Sequence, residues 1–151
     1  MVVKEENMDI FQTLKISSSA LNAQQIRLNT ISSNLANIET TQTPEGGPYK
    51  KKTVVFRTAS VSPFEKHLKQ SLKGATEGVE VSKILTIDKP PRTLYDPAHP
   101  DAGEDGYVKL PNINLLEEMA DMMSATRAYE ANVTVIKSAK RMALKALEIG
   151  K

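Results

Sequence analysis

The stretch IFQTLKISSSALNAQQIRLNTISSNLANI, residues 10–38, decides the fold. Leu14, Leu21, Leu28 and Leu35 recur every seven residues, and Ile10, Ile31 and Ile38 extend the alternating three- and four-residue spacing. Only Ser17 and Gln24 interrupt it. A seam sustained over four heptads predicts one long helix packed as in a coiled coil. At about 1.5 Å per residue that helix is roughly 45 Å long. Asp9, three residues before Gln12, is the expected N-terminal cap. The remaining surface is unusual, because Lys15 and Arg27 are its only charges and Ser, Thr, Asn and Gln fill most other positions. Such residues compete for backbone hydrogen bonds and form helices poorly. An uncharged polar face is also cheaper to desolvate than a charged one. The expectation is a helix covered by other chains and poorly formed in the free monomer.

A second seam closes the chain. Leu115, Met119, Met122, Thr126, Tyr129, Val133, Ile136, Ala143 and Leu147 alternate by four and three, broken at Lys140. Asn114 and Glu117 have capping-box spacing. Acidic residues lie early (Glu117, Glu118, Asp121) and basic ones late (Lys137, Lys140, Arg141, Lys145), which complements the helix dipole. Each helix needs an apolar partner, and the nearest is the other. The fold class is therefore mainly α: two long terminal helices forming a coiled-coil-like pair, with a small β-containing insert between them. The expected boundaries are a 1–8 extension, a 9–39 helix, a 40–113 middle region and a 114–151 helix.

The middle region changes texture. Pro44, Gly46, Gly47 and Pro48 mark a loop. Strand character appears within Tyr49–Thr58, then across Val79–Ile87, where Pro90 and Pro91 end it, and again at Tyr107–Leu110. Ser62-Pro63-Phe64-Glu65 reads as a capping box opening a short helix with Phe64, Leu68 and Leu72 on one face and Gly74 at its end. Asp96 to Gly106 reads as a polar loop.

Composition narrows function. The chain has 151 residues, 40% hydrophobic and 5% aromatic, and 20 basic residues against 18 acidic. That balance argues against a nucleic-acid partner. Without cysteine there is no disulfide, thiolate nucleophile or Cys-based metal site. No stretch reaches the roughly 18 apolar residues of a membrane span. Met1 to Asp9 lacks the apolar run of a cleaved secretory signal.

Three segments carry a resemblance. They are Ser19 to Gln25 continuing through Ser33-Asn34-Leu35-Ala36-Asn37-Ile38-Glu39-Thr40, then Tyr95-Asp96-Pro97-Ala98-His99-Pro100-Asp101-Ala102 with Gly106-Tyr107-Val108, then Glu117-Glu118-Met119 through Arg127-Ala128-Tyr129-Glu130-Ala131-Asn132. Together they resemble the flagellar axial proteins, and within them the proximal rod subunits, from Met8 onward. The resemblance implies a structural subunit of a drive shaft crossing the periplasm, exported by the flagellar apparatus without a cleaved signal. It implies partners among copies of the chain, other rod proteins and the membrane-embedded base of the motor. It implies no enzyme activity, cofactor, nucleic acid or small-molecule substrate. The termini of such subunits are disordered as monomers and fold into stacked helices on incorporation.

The residues expected to serve subunit packing are Leu14, Leu21, Leu28, Ile31, Asn34, Leu35 and Asn37 on the first helix. On the second they are Met119, Arg127, Tyr129, Glu130, Asn132, Val133 and Ile136. Asn34 and Asn37 have amides suited to cap or bridge backbone where the helix turns; the plainer reading is a frayed end, where Asn is common. Arg127 and Glu130 are candidates for ion pairs between subunits, against the plainer reading of a solvated face. Tyr129 falls in the seam. Asp96, His99, Asp101, Glu104 and Asp105 form the only metal-like cluster, but their spacing fits no calcium loop and a structural loop is expected. No phosphate-binding glycine loop or activated nucleophile accompanies them. Lys50, Lys51 and Lys52 read as a solvated strand end. The competing class is a soluble adaptor that binds one partner through an amphipathic helix.

Overall fold

Hydroxyl side chains on the first helix bond back to its own carbonyls. Ser19 Oγ donates to Ile16 O at 2.7 Å and Thr30 Oγ1 to Ile26 O at 2.9 Å. Poor helix formers are thereby satisfied locally. The computed structural model describes residues 10–59 and 77–149. The expected cap at Asp9, the 1–8 extension and the expected short helix from Ser62 through Gly74, with His67, lie outside them. Helix α1 spans Ile10–Ala36, and Asn37 to Glu39 form the turn that ends it. Strands β1 (Lys52–Thr58), β2 (Val79–Thr86), β3 (Arg92–Tyr95) and β4 (Tyr107–Leu110) follow, and helix α2 (Leu115–Ile149) closes the chain. Asn114 Oδ1 accepts the Leu116 N–H at 3.0 Å and so caps α2. Glu117, expected to reach back to complete the box, turns instead to Lys51. No helix among the described residues is long and apolar enough to cross a membrane.

Among the described residues four strands stand where three were expected, and they form two separate two-stranded ladders, β1–β2 and β3–β4. The bonds Ala59 N–H to Gly78 O and Ile87 N–H to Lys51 O bracket the first ladder in opposed chain order, so it is antiparallel. The second is antiparallel, with Arg92 opposite Leu110 and Tyr95 opposite Tyr107. The unexpected strand is β3. All four of its residues are exposed, so no buried alternation announces it; pairing with β4 holds it extended.

The contacts group the chain into two units. One takes described residues of 26–55 and 82–126. Its core is Ile31, Val108, Leu110, Pro111, Ile113 and Ala125, with three buried polar side chains, Thr30, Asn34 and Glu118. Val108 and Leu110 lie two apart on β4 and share its inward face. Arg27 Nη2 meets Asp121 Oδ1 at 3.0 Å across the two helices, in a half-exposed pair worth about 0–1 kcal/mol. The other unit takes described residues of 10–25, 56–81 and 127–149. Within it Ser17, Ala23 and Ala139 are buried, Arg57 Nε meets Glu80 Oε1 at 2.7 Å, and Ser19 Oγ accepts the Val79 N–H at 3.1 Å.

The buried face of α2 is offset from the expected seam. Glu118, Ala125 and Ala139 are buried, and Asp121, Met122, Ala128, Tyr129, Asn132, Val133, Ile136, Ser138 and Ala143 are half-buried. Met122, Tyr129, Ile136 and Ala143 are shared with the expected seam. At the alternate positions Glu118, Ala125 and Ala139 replace Met119, Thr126 and Lys140 as the more covered residue of each pair, while Asn132 and Val133 are both half-buried. Ala125 and Ala139 allow close backbone approach, and Glu118 is bonded inward by Asn34, which leaves Met119 48% exposed. On α1 the exposed positions are Phe11, Lys15, Ser18, Asn22, Gln25, Asn29, Ser32 and Ala36, a stripe with one charge.

Candidate functional site

Asn34 lies one turn from the end of α1 and is 1% exposed. A buried primary amide must find two acceptors and two donors or lose free energy. Here it finds all four. Nδ2 donates to Lys52 O at 2.8 Å and to Glu118 Oε2 at 3.0 Å. Oδ1 accepts the Lys52 N–H at 2.9 Å and the Tyr49 hydroxyl at 3.1 Å. The amide's orientation has no alternative: the Lys52 N–H is only a donor and a Glu118 carboxylate oxygen only an acceptor. By bonding both backbone groups of Lys52, the side chain acts as a neighbouring strand would, and ties the start of β1 to α1. Ser33 Oγ lies 3.3 Å from the Tyr49 hydroxyl and extends the network.

Glu118 is equally buried, at 1% exposed. Its Oε1 accepts no aligned hydrogen bond, and the Lys51 ammonium at 2.7 Å matches its charge. Lys51 also reaches Glu117 Oε1 at 3.1 Å. Burial works against the Lys51 cation, but the carboxylates of Glu118 and Glu117 outweigh it and hold its pKa above the ordinary 10.5. A raised pKa contributes stability that is complete below the ordinary value and is lost as pH rises through the folded one. The urea midpoint is therefore expected to hold to about pH 10 and then fall. Lys51→Met is expected to start lower, because it strands a buried carboxylate, and to show a shallower alkaline fall. Parallel pH profiles of the two proteins would contradict this.

Asn37 takes the next position in the turn. Its Nδ2 donates to Ser33 O at 2.8 Å, and its Oδ1 accepts the Thr40 hydroxyl at 3.1 Å. One helical carbonyl is thus capped where α1 stops. Asp101 ties down the following segment, accepting Thr41 Oγ1 at 2.6 Å and Gln42 Nε2 at 3.4 Å. Within its own loop Asp96 Oδ1 accepts the Ala98 N–H, and His99 Nδ1 accepts the Asp101 N–H at 3.0 Å. The polar groups of Asp96, His99 and Asp101 thus serve turn formation, and among the described residues no three acidic or histidine side chains converge on a metal position. Gly106 closes the loop at φ +72°, and a Cβ there would come within 2.9 Å of the Tyr95 ring.

Of the residues expected from sequence, Ile31 and Asn34 are buried. Leu14, Leu21, Leu28, Leu35, Asn37, Tyr129, Asn132, Val133 and Ile136 are half-buried, and Met119, Arg127 and Glu130 are exposed. Arg127 and Glu130 form no ion pair among the described residues. Asn132 Nδ2 donates to Ala128 O at 2.8 Å. Glu118, Tyr49 and Lys51 were not anticipated as Asn34's surroundings. Lys51 departs from its expected solvated state, because the 17%-exposed side chain is folded onto two carboxylates. The one sequence signal for Glu118 is its spacing of four and seven from Met122 and Ala125 on the inward stripe.

Comparison with known proteins supports a family assignment. Residues 14–42 match the family described as flagella basal body rod protein, and residues 104–149 match the C-terminal family of the flagellar basal body rod FlgEFG proteins. The flagellar basal-body rod protein FlgC of Borreliella burgdorferi is 44% identical over 149 residues, covering 94% of this chain and 98% of that protein. Its counterpart in Bacillus subtilis is 45% identical over 151 residues, covering 95% and 100%. That of Salmonella typhimurium is 39% identical over 143 residues, covering 95% and 99%. The chain, with its Asn34 junction between two long helices, belongs to the FlgC family of flagellar basal-body rod proteins.

Proposed function

We propose that the chain assembles helically through its terminal helices into the proximal rod of the flagellar basal body and there transmits motor torque. The observation that carries this is the outer surface of the helices. Leu116 is 76% exposed, Phe11 77% and Leu147 70%, and Leu115, Met119, Met123, Met142 and Leu144 are exposed as well. So much large apolar side chain on two helices is costly in water and suits burial by neighbours. The nearly uncharged exposed stripe of α1 favours the same reading, since uncharged side chains are covered at little desolvation cost. In this reading the helices pair along their seams, the partners are further copies and other rod proteins, and the subunit crosses to the periplasm through the flagellar export apparatus without a cleaved signal. Arg127 and Glu130, exposed and without an ion pair among the described residues, are available for pairs between subunits.

The test is recovery of the tagged chain in isolated basal bodies, together with circular dichroism and limited proteolysis of the purified monomer. Co-purification and protease-sensitive termini support the reading. A chain absent from basal bodies, with a resistant and fully helical monomer, favours the adaptor. Asn37→Ala removes the side-chain bonds to Ser33 O and Thr40 and is expected to leave export intact while impairing incorporation. Normal swimming in that variant would remove Asn37 from the assembly role.

A further inference from the structure

The β3–β4 hairpin is electrically polarised along its length. Its tip, residues 96–106, carries Asp96, Asp101, Glu104 and Asp105 and no Lys or Arg. Asp96 and Asp101 are held by the turn, whereas Glu104 and Asp105 are exposed and make no ion pair among the described residues. At the opposite end lies a groove of about 420 Å³ whose walls include Pro90, Pro91 and Pro111. Four lysines line it, with Asp88 as the one acid. Lys50 meets Asp88 at 2.6 Å and cancels it, and Lys51 is turned to Glu117 and Glu118. Lys89 and Lys109 are left as exposed cations without a carboxylate among the described residues. Proline walls are rigid, so the groove needs little ordering to receive an extended segment.

We infer that this groove receives the acidic β3–β4 tip, Glu104 and Asp105, of a second copy of the chain. The complementary charges sit at opposite ends of one hairpin, so they meet when copies follow one another in the same sense. Such a contact is heterologous: it uses a different surface on each partner and repeats into a ring or a helix. The inference rests on the assembly reading above and adds the surface and direction of one contact. The charges would set orientation and register more than strength. Within one chain Lys89 stands apart from the tip, because the six residue steps from Lys89 to Tyr95 span roughly 20 Å of extended backbone.

The chain has no cysteine, so an engineered pair reports on one contact. Basal bodies from cells carrying the Lys89→Cys/Asp105→Cys double variant are oxidised and run without reductant. A ladder of disulfide-linked multimers is expected. Basal bodies that contain the variant but yield only monomer overturn the inference and leave the rod reading standing; absence of even the unaltered chain from basal bodies sinks the rod reading itself. Charge exchange is the second measurement. Lys89→Glu/Lys109→Glu and Glu104→Lys/Asp105→Lys are each expected to cut incorporation about tenfold, and the four changes together to restore most of it. Reversals without effect, or an exchange that fails to restore, overturn the pairing; a loss confined to the lysine reversals assigns the groove to an acidic segment of another protein.

Discussion

Asn34→Asp is expected to destabilise the folded chain by about 3–5 kcal/mol, a fall of roughly 10 °C in thermal midpoint for a protein of this size. The change is nearly isosteric, so packing is not at issue. It removes two donors from a buried site, leaving Lys52 O and Glu118 Oε2 without their N–H partners. It also places a second carboxyl oxygen about 3 Å from Glu118, where the water that would screen two charges is excluded. One group must take up a proton or move out, and either step disturbs the start of β1. Glu118→Gln in the same chain restores a donor facing the new carboxylate and removes the like charge. The double variant is therefore expected to recover part of the loss. A midpoint within a degree or two of the unaltered protein for Asn34→Asp alone would show that the network contributes little.

The second large effect is expected at Gly78. A Cβ built there lies 2.5 Å from Ser19 Oγ and 3.2 Å from Ser19 Cβ. The hydroxyl cannot simply swing away, because it donates to Ile16 O and accepts the Val79 N–H, which seats β2 on α1. Gly78→Ala should therefore cost about 2–3 kcal/mol through overpacking and the loss of these bonds. Ser19→Gly makes room and itself costs about 1 kcal/mol as a glycine within a helix. In the double variant the two losses are expected to fall well short of their sum, the signature of neighbouring sites. Additivity measured by urea titration would show that β2 finds its seat by other contacts.

The helices were readable from sequence because their heptad periods are long and their boundaries carry Asn34, Asn37 and Asn114. Which residue of each adjacent pair faces inward was less readable. Met119 outranks Glu118 on hydrophobicity alone, and only the amide of Asn34, 84 residues away, makes Glu118 the better inward residue. Lys51 escaped notice for the same reason. Inside a run of three lysines nothing marks the middle one, and its two carboxylates come from another element. Strand β3 was missed because its extended state depends on β4. The acidic loop read correctly as a turn system, since Asp96 and Gly106 have local geometric roles visible in their neighbours.

The Asn34 junction also has a consequence for timing. Its bonds join residues 18 and 84 positions apart. Contacts so distant in sequence form late, after the intervening chain has surrendered its freedom. A chain emerging from its N-terminus presents Asn34 and Lys52 long before Glu118, so the amide stays incompletely matched until the start of the last helix arrives. The Asn34 network is therefore complete only when the chain is present through Glu118, at the start of the final helix.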